Sequence, residues 1–181
     1  KVIVHYNSSS EKAMKIAKEI YGYSIKADLT DPSETKLMFE EIIQEFGKID
    51  VCVANAGYYP PDPLPLWEID LGRWKKTISS NLDVSINTAR NFLRHASENK
   101  NGSMVFIGST AGIYGESGHS DYATAKGAIT SGLLMSLKND VSKFGNIRVN
   151  AVSPGWTITP KKIATGIDEG LIDRATATMS L

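Results

Sequence analysis

Tyr122 and Lys126 stand four residues apart, with Ser109 upstream and Asn81 before that. In a helix, residues four apart lie one above the other on one face, so this phenol and this ammonium would point into the same space. A phenol is a poor acid or base at neutral pH, with a reference pKa of about 10. An ammonium about 5 Å away, at an effective dielectric of about 20, favours phenolate by roughly 3 kcal/mol, or about two units. The expectation is a tyrosine brought toward the pH range where general acid–base catalysis works. A serine hydroxyl can hold a carbonyl oxygen while the tyrosine gives or takes its proton. The chemistry this suits is interconversion of a carbonyl and an alcohol with a hydride cofactor. Taken alone, such a pair arises often by chance and is better read as an exposed tyrosine beside a solvated lysine, so the elements around it must decide.

Those elements alternate. Short β-rich runs at residues 2–4, 23–26, 51–54, 104–107 and 147–152 are mostly apolar, as expected of strands buried on both faces of a parallel sheet. Between them lie segments of helical period. Asp31, Pro32 and Glu34 read as an N-cap, a proline at the first helical position and a capping-box acid, and Gly47 ends that helix. Leu82, Ile86, Ala89, Leu93 and Ala96 form the expected inner stripe of a second helix, opened by Asn81. Ile129, Leu133, Leu137, Val141 and Phe144 do the same in a third, starting near Asp121. Alternation of this kind predicts an α/β fold: a Rossmann-like, doubly wound parallel sheet in three α/β/α layers. Residues 58–66 are rich in proline and read as a stiff loop. The small residues Ala123, Ala125, Gly127, Ala128 and Gly132 suit either tight packing on the sheet or a subunit interface.

Composition narrows the function. The 181 residues suit a single domain. Twenty basic and twenty acidic residues leave no net charge and no basic stripe, which argues against nucleic acid or an anionic membrane as partner. No apolar run approaches the roughly 18 residues of a membrane span. The single Cys52 cannot form an internal disulfide and reads as a small buried hydrophobe. The balance suits a cytoplasmic protein. No His/Cys/Asp cluster has metal-ligand spacing, and Ser109 is not in a GxSxG elbow, so neither a metal centre nor an α/β-hydrolase is expected. His119 is read as a satisfied loop histidine rather than an extra acid–base group, and His5 and His95 are assigned no chemistry.

In combination these segments resemble the classical short-chain dehydrogenase/reductase family, over residues 2 to about 159. Asn55, Ala56 and Gly57 resemble its NAG turn, Asn81 its helix-opening catalytic asparagine, and Ser109, Tyr122 and Lys126 its catalytic serine, tyrosine and lysine. Pro154 and Gly155 resemble its PG motif. In open α/β sheets ligands bind beyond the carboxyl ends of the strands, where Asn55, Ser109 and Pro154 all fall. The resemblance implies that Asn81 holds a water on a proton path toward Lys126. It also implies that Asp28 and Leu29 touch the adenine, and that Thr157 and Thr159 hold the nicotinamide carboxamide. Asp28 could instead cap its own turn, and the two threonines could be plain loop residues. The turn after the first run holds Asn7, Ser8 and Ser9 and no acid, which points to NADP, with NAD the alternative. The resemblance further implies a small-molecule carbonyl or alcohol substrate and a homotetramer. Within the family the chain looks similar to 3-oxoacyl-carrier-protein reductases and to sugar or polyol dehydrogenases. Two other readings use some of the same residues: an extended-family epimerase or dehydratase, and a Rossmann module that binds nucleotide without catalysis.

One departure is large. The family's glycine-rich turn is absent, and the chain opens on residues that resemble its second strand. The expectation is therefore a single incomplete domain over residues 1–181. It would lack the first βα unit and the C-terminal end, with residues also missing near 20–22, where the helix-to-strand connection is short.

Overall fold

The computed structural model describes residues 1–159 together with Ile163, Ala164, Gly166 and Gly170. Among the described residues there are five strands, each separated from the next by one or more of seven α-helices. Strand β1 (Ile3–Tyr6) leads through α1 (Ser10–Glu19) to β2 (Tyr23–Lys26), and α2 (Pro32–Phe46) leads on to β3 (Val51–Ala54). Then come α3 (Leu71–Ile78), α4 (Val84–Asn99), β4 (Asn101–Ile107), α5 (Ala111–Tyr114), α6 (Ser120–Gly127), α7 (Leu134–Asp140) and β5 (Asn146–Val152). Every strand pairing is parallel. The pairings fall into two ladders, β1–β2 and β3–β4–β5, with no hydrogen bonding between them. In β3, Val51 and Val53 are 60% and 56% exposed, so that strand is not buried on both faces as its apolar sequence suggests.

Local chemistry explains most element ends. Asp31 caps α2 by accepting from the Ser33 and Glu34 amides at 2.6 and 3.1 Å. Glu34 does not close a capping box. Its carboxylate accepts instead from the Asp28 amide at 2.8 Å, because Asp31 N–H is already spent on the Asp28 carbonyl. Gly47, at φ 80°, ends α2 as expected. The connection from α1 to β2 is short. Tyr21 adopts a left-handed conformation, and the Gly22 amide reaches back to the Ala17 carbonyl at 2.7 Å, so three residues turn the chain.

The core joins α2, α4 and the inner faces of β4 and β5, with Phe92, Ala96, Met104 and Phe106 fully buried. The expected stripe of α4 faces the core in part: Ala89 and Ala96 are buried in it, and Leu82 and Leu93 pack against it half-buried. The buried face also carries Val84, Ser85, Asn87, Thr88, Phe92 and His95, which the stripe omits. Ile86 and Leu93, with Leu133 and Leu137, line an open groove between α4 and α7. His95 earns its burial structurally, accepting the Ile49 amide at 3.1 Å where the chain enters β3. The small-residue helix divides between its two readings. Gly127 lies against the Gly112 backbone, whereas Gly132 has open space where a side chain would stand.

Candidate active site

The parallel strands β3, β4 and β5 end on the same side of their sheet, and the segments that follow them meet there. Asn55, Gly57, Tyr58 and Tyr59 follow β3, Gly108 and Ser109 follow β4, and Pro154, Gly155 and Thr157 follow β5. With Asn81, Ile107, Tyr122 and Lys126 they line one cavity of about 280 Å³. All four residues read from the sequence as catalytic are thus brought together. Of the cofactor residues, Asn55, Gly57, Pro154, Gly155 and Thr157 share the cavity, whereas Ala56 and Thr159 do not line it.

Asn81 is not the opening residue of a helix. The helix already runs from Leu71, and residues 79–83 form a widened π turn that joins α3 to α4. Such a turn displaces the helix ladder locally and is frequent at functional sites. Asn81 is fully buried. Its amide donates to the Tyr58 and Thr77 carbonyls at 2.8 and 2.9 Å, and its oxygen accepts from the Tyr58 amide at 3.2 Å. Its side chain thus pins the segment after β3 against the helix. The approach is close: a Cβ on Gly57 would stand 2.8 Å from Asn81 Oδ1 and 3.6 Å from Lys126 Nζ.

Helix α6 presents Tyr122 and Lys126 as their spacing predicts, but the electrostatics differ from the sequence expectation. Lys126 Nζ donates to the Ile107 carbonyl at 2.8 Å and lies 5.8 Å from the centre of the Tyr122 ring. The ammonium is thus bonded to the end of β4. Burial raises the Tyr122 phenol above its ordinary value, with the Glu116 carboxylate adding to the rise and the Ser109 hydroxyl opposing it. Burial lowers Lys126. The lowered phenol expected from Lys126 is therefore not what this arrangement produces; the serine is the group that favours phenolate. Ser109 Oγ also accepts from the Ala111 amide at 3.2 Å, which holds it at the cavity wall.

The proline-rich loop forms one wall. The Leu64 amide donates to the Gly118 carbonyl at 2.9 Å, and His119 Nε2 lies 3.2 Å from the Pro60 carbonyl. Gly118 sits at φ 80° with Pro63 against it, where a side chain would collide. His119 is buried and held by backbone oxygens, which is the satisfied loop histidine expected. Tyr59 stacks on it with ring centres 4.6 Å apart and meets the Tyr122 ring edge-on at 5.0 Å. Its hydroxyl donates to Glu116 at 2.7 Å. Arg73, Thr77 and Asp121 were not singled out from the sequence. Asp121 was legible only as the residue beside Tyr122, and Arg73 and Thr77 carry no motif.

A second set of residues gathers at the ends of β1 and β2. Asn7 and Ser8 are exposed after β1. Asp28 accepts from the Thr30 amide and hydroxyl at 2.9 and 2.7 Å, so it does cap its own turn, and these bonds hold its carboxyl below the usual range. The Leu29 side chain is buried in the core, leaving only its backbone for a ligand, and its carbonyl already accepts from Asn87 at 2.9 Å. Cys52 sits within β3, where burial pushes its thiol up to about 12. No helix among the described residues is long and apolar enough to cross a membrane.

Comparison with known proteins agrees with this geometry. Residues 1–169 match the sequence profile of a family described as short chain dehydrogenase. The chain is 35% identical over 136 residues to a cis-4-hydroxycyclohexanecarboxylate dehydrogenase of Sinomonas cyclohexanicum, covering 75% of this chain and 53% of that protein. It is 34% identical over 157 residues to a 3-oxoacyl-[acyl-carrier-protein] reductase of Thermotoga maritima, covering 84% and 62%. A crystal structure of NAD+-bound xylitol dehydrogenase superposes with a TM-score of 0.77 at 27% identity, over 83% of this chain and 58% of that one. The chain thus spans a little over half the length of the proteins it matches.

Proposed function

Because the chain belongs to the short-chain dehydrogenase family, we propose that it serves an oxidoreductase interconverting a secondary alcohol and a ketone with a nicotinamide dinucleotide. The observation that carries this reading is that Asn81, Ser109, Tyr122 and Lys126 line one cavity at the carboxyl ends of β3, β4 and β5. A pure nucleotide-binding module needs no such set.

The cavity fits the nicotinamide end of the cofactor. Gly57 leaves open the space a Cβ would fill, and Asn55, Thr157 and Lys126 supply polar groups at its walls. When bound, the cofactor supplies or accepts the hydride. Ser109 donates a hydrogen bond to the substrate oxygen, and the Tyr122 hydroxyl gives its proton to that oxygen in reduction or regains it in oxidation. Lys126 lies at the cavity wall, held by the Ile107 carbonyl, and supplies the positive charge of the site. Asn81 acts through structure, fixing Tyr58 and Gly57 beside the lysine. Burial raises the Tyr122 phenol, and the Ser109 hydroxyl opposes that rise.

The cofactor is NADP on this reading. The turn after β1 carries no carboxylate to repel a 2′-phosphate, and Asn7 and Ser8 are exposed and able to donate to one. Asn7, Ser8 and Asp28 would face the adenosine end. The half-exposed apolar groove between α4 and α7 supports a homo-oligomer, a tetramer by family likeness, built on those helices. The even charge and the lone, half-buried Cys52 support a cytoplasmic setting. The test of the central assignment is Tyr122→Phe, which keeps the ring contact with Tyr59 and removes only the proton. Turnover should vanish while the fold stands; a loss smaller than about tenfold would remove Tyr122 from the acid–base role.

A further inference from the structure

We propose that Arg73 is a positioning residue: its guanidinium ties together the two walls of the cavity and so determines where Tyr122 stands. The proposal rests on the reading of Tyr122 as the proton-transfer group. Arg73 sits on α3, whose start is capped by Asp70 accepting from the Arg73 amide at 2.9 Å. Its Nη1 donates to the Asp62 carbonyl at 2.6 Å, on the proline-rich wall. Its Nε and Nη2 donate to the two Asp121 oxygens at 3.0 and 3.4 Å, and Nη2 also meets the Gly118 carbonyl at 3.3 Å, in the segment that enters α6 and that the loop itself meets through the Leu64 amide. Thr77, one helical turn further along α3, donates to Asp121 at 2.9 Å.

Both walls lead to Tyr122. Asp121 is its neighbour in the chain and is fully buried at the start of α6. Tyr59, on the loop that Asp62 continues, presses its ring on Tyr122. The Arg73 side chain is itself 14% exposed, so the ion pair is largely shielded from water. Burial alone would raise the Asp121 carboxyl, but Arg73, Thr77 and the Tyr122 amide together hold it below its usual range. A lysine cannot replace this guanidinium. Serving two backbone carbonyls and a carboxylate at once takes the planar fork of donors, which an ammonium lacks. An ordinary structural ion pair would need only the carboxylate. Displacement of a catalytic group by about 1 Å can cost about 10²-fold in rate.

The experiment is Arg73→Lys in the intact protein, read by steady-state kinetics and by amide hydrogen exchange. The expected result is a fall in kcat of about tenfold or more with the KM for cofactor changed less than about threefold. Amides of residues 58–64 and 118–122 should lose protection together while β4 and β5 keep theirs. Thr77→Val, which leaves Arg73 in place, should show a smaller fall in kcat and faster exchange at 118–122. A folded Arg73→Lys protein with unchanged kcat, or one whose loss lies wholly in KM, would overturn the proposal. If that variant does not fold, Thr77→Val decides: parental kcat and parental exchange at 118–122 would overturn it. If the parent protein shows no nicotinamide-dependent turnover, the oxidoreductase reading fails separately. Exchange in the two walls then decides alone whether Arg73 couples them.

Discussion

Replacing Gly57 by alanine tests the closest approach in the site. The residue is not in the left-handed region, so alanine meets no backbone strain, and loss of a loop glycine stabilises by about 0.4–1 kcal/mol through the unfolded chain. Against this stands a collision. The new Cβ would lie 2.8 Å from Asn81 Oδ1, closer than carbon and oxygen tolerate. Asn81 cannot simply retreat, because its amide is held by Tyr58 and Thr77 and its oxygen by the Tyr58 amide. Relief requires losing one or two of these bonds. Each contributes about 0.5–1.5 kcal/mol, and a group left unpaired in a buried site costs about 1–3 kcal/mol. The collision outweighs the entropy gain, and the net expectation is destabilisation by about 1–2 kcal/mol. Activity should fall further than stability, since the same methyl would stand 3.6 Å from Lys126 Nζ, in the space assigned to the cofactor ribose. Urea unfolding gives the first quantity as a lower midpoint at constant slope. Nicotinamide absorbance gives the second as a raised KM for cofactor. A variant as stable as the parent with an unchanged KM would show that Asn81 does not brace this turn and that the cofactor does not pass it.

Placing Asp at Asn7 should turn a preference for NADPH into one for NADH, by repelling the 2′-phosphate and accepting from the ribose hydroxyl; catalytic efficiencies that already favour NADH in the parent would refute the NADP assignment. The α4–α7 groove should be covered in solution, so sedimentation at micromolar concentration should show an oligomer, and Leu93→Glu should dissociate it. A parent that sediments as a monomer would refute this. The Asp121 carboxyl is held below its unfolded value, so its stabilisation is present above about pH 4 and is lost as pH falls through the folded value. The stability gap between the parent and Asp121→Asn should therefore narrow in acid; a gap independent of pH would show that the charge of Asp121 does not matter.

The strands at 23–26 and 51–54 match their expected limits, because short apolar runs between helical patterns leave little choice of element. The capped start and glycine end of α2 were legible for the same local reason: Asp31, Pro32 and Gly47 act on their own backbone. The pairing of Tyr122 with Lys126 on one helix face followed from helical period alone, and so did the gathering of Asn55, Ser109 and Pro154 at strand ends, once the sheet was known to be parallel. What lay beyond the sequence depends on contacts between distant segments. Helical period gives the angle between side chains but not how wide a face the fold covers, so the stripe on α4 missed Val84, Ser85, Thr88 and Phe92, which are buried beside it. The place of Asn81 inside a π turn depends on α3, whose start no hydrophobic stripe announced. The direction in which the Tyr122 phenol shifts could not be had from spacing, because it is set first by burial, which only the tertiary structure reveals. Arg73 left no local signal at all: its partners Asp62, Gly118 and Asp121 are scattered along the chain, and only folding brings a carboxylate and two carbonyls within reach of one guanidinium.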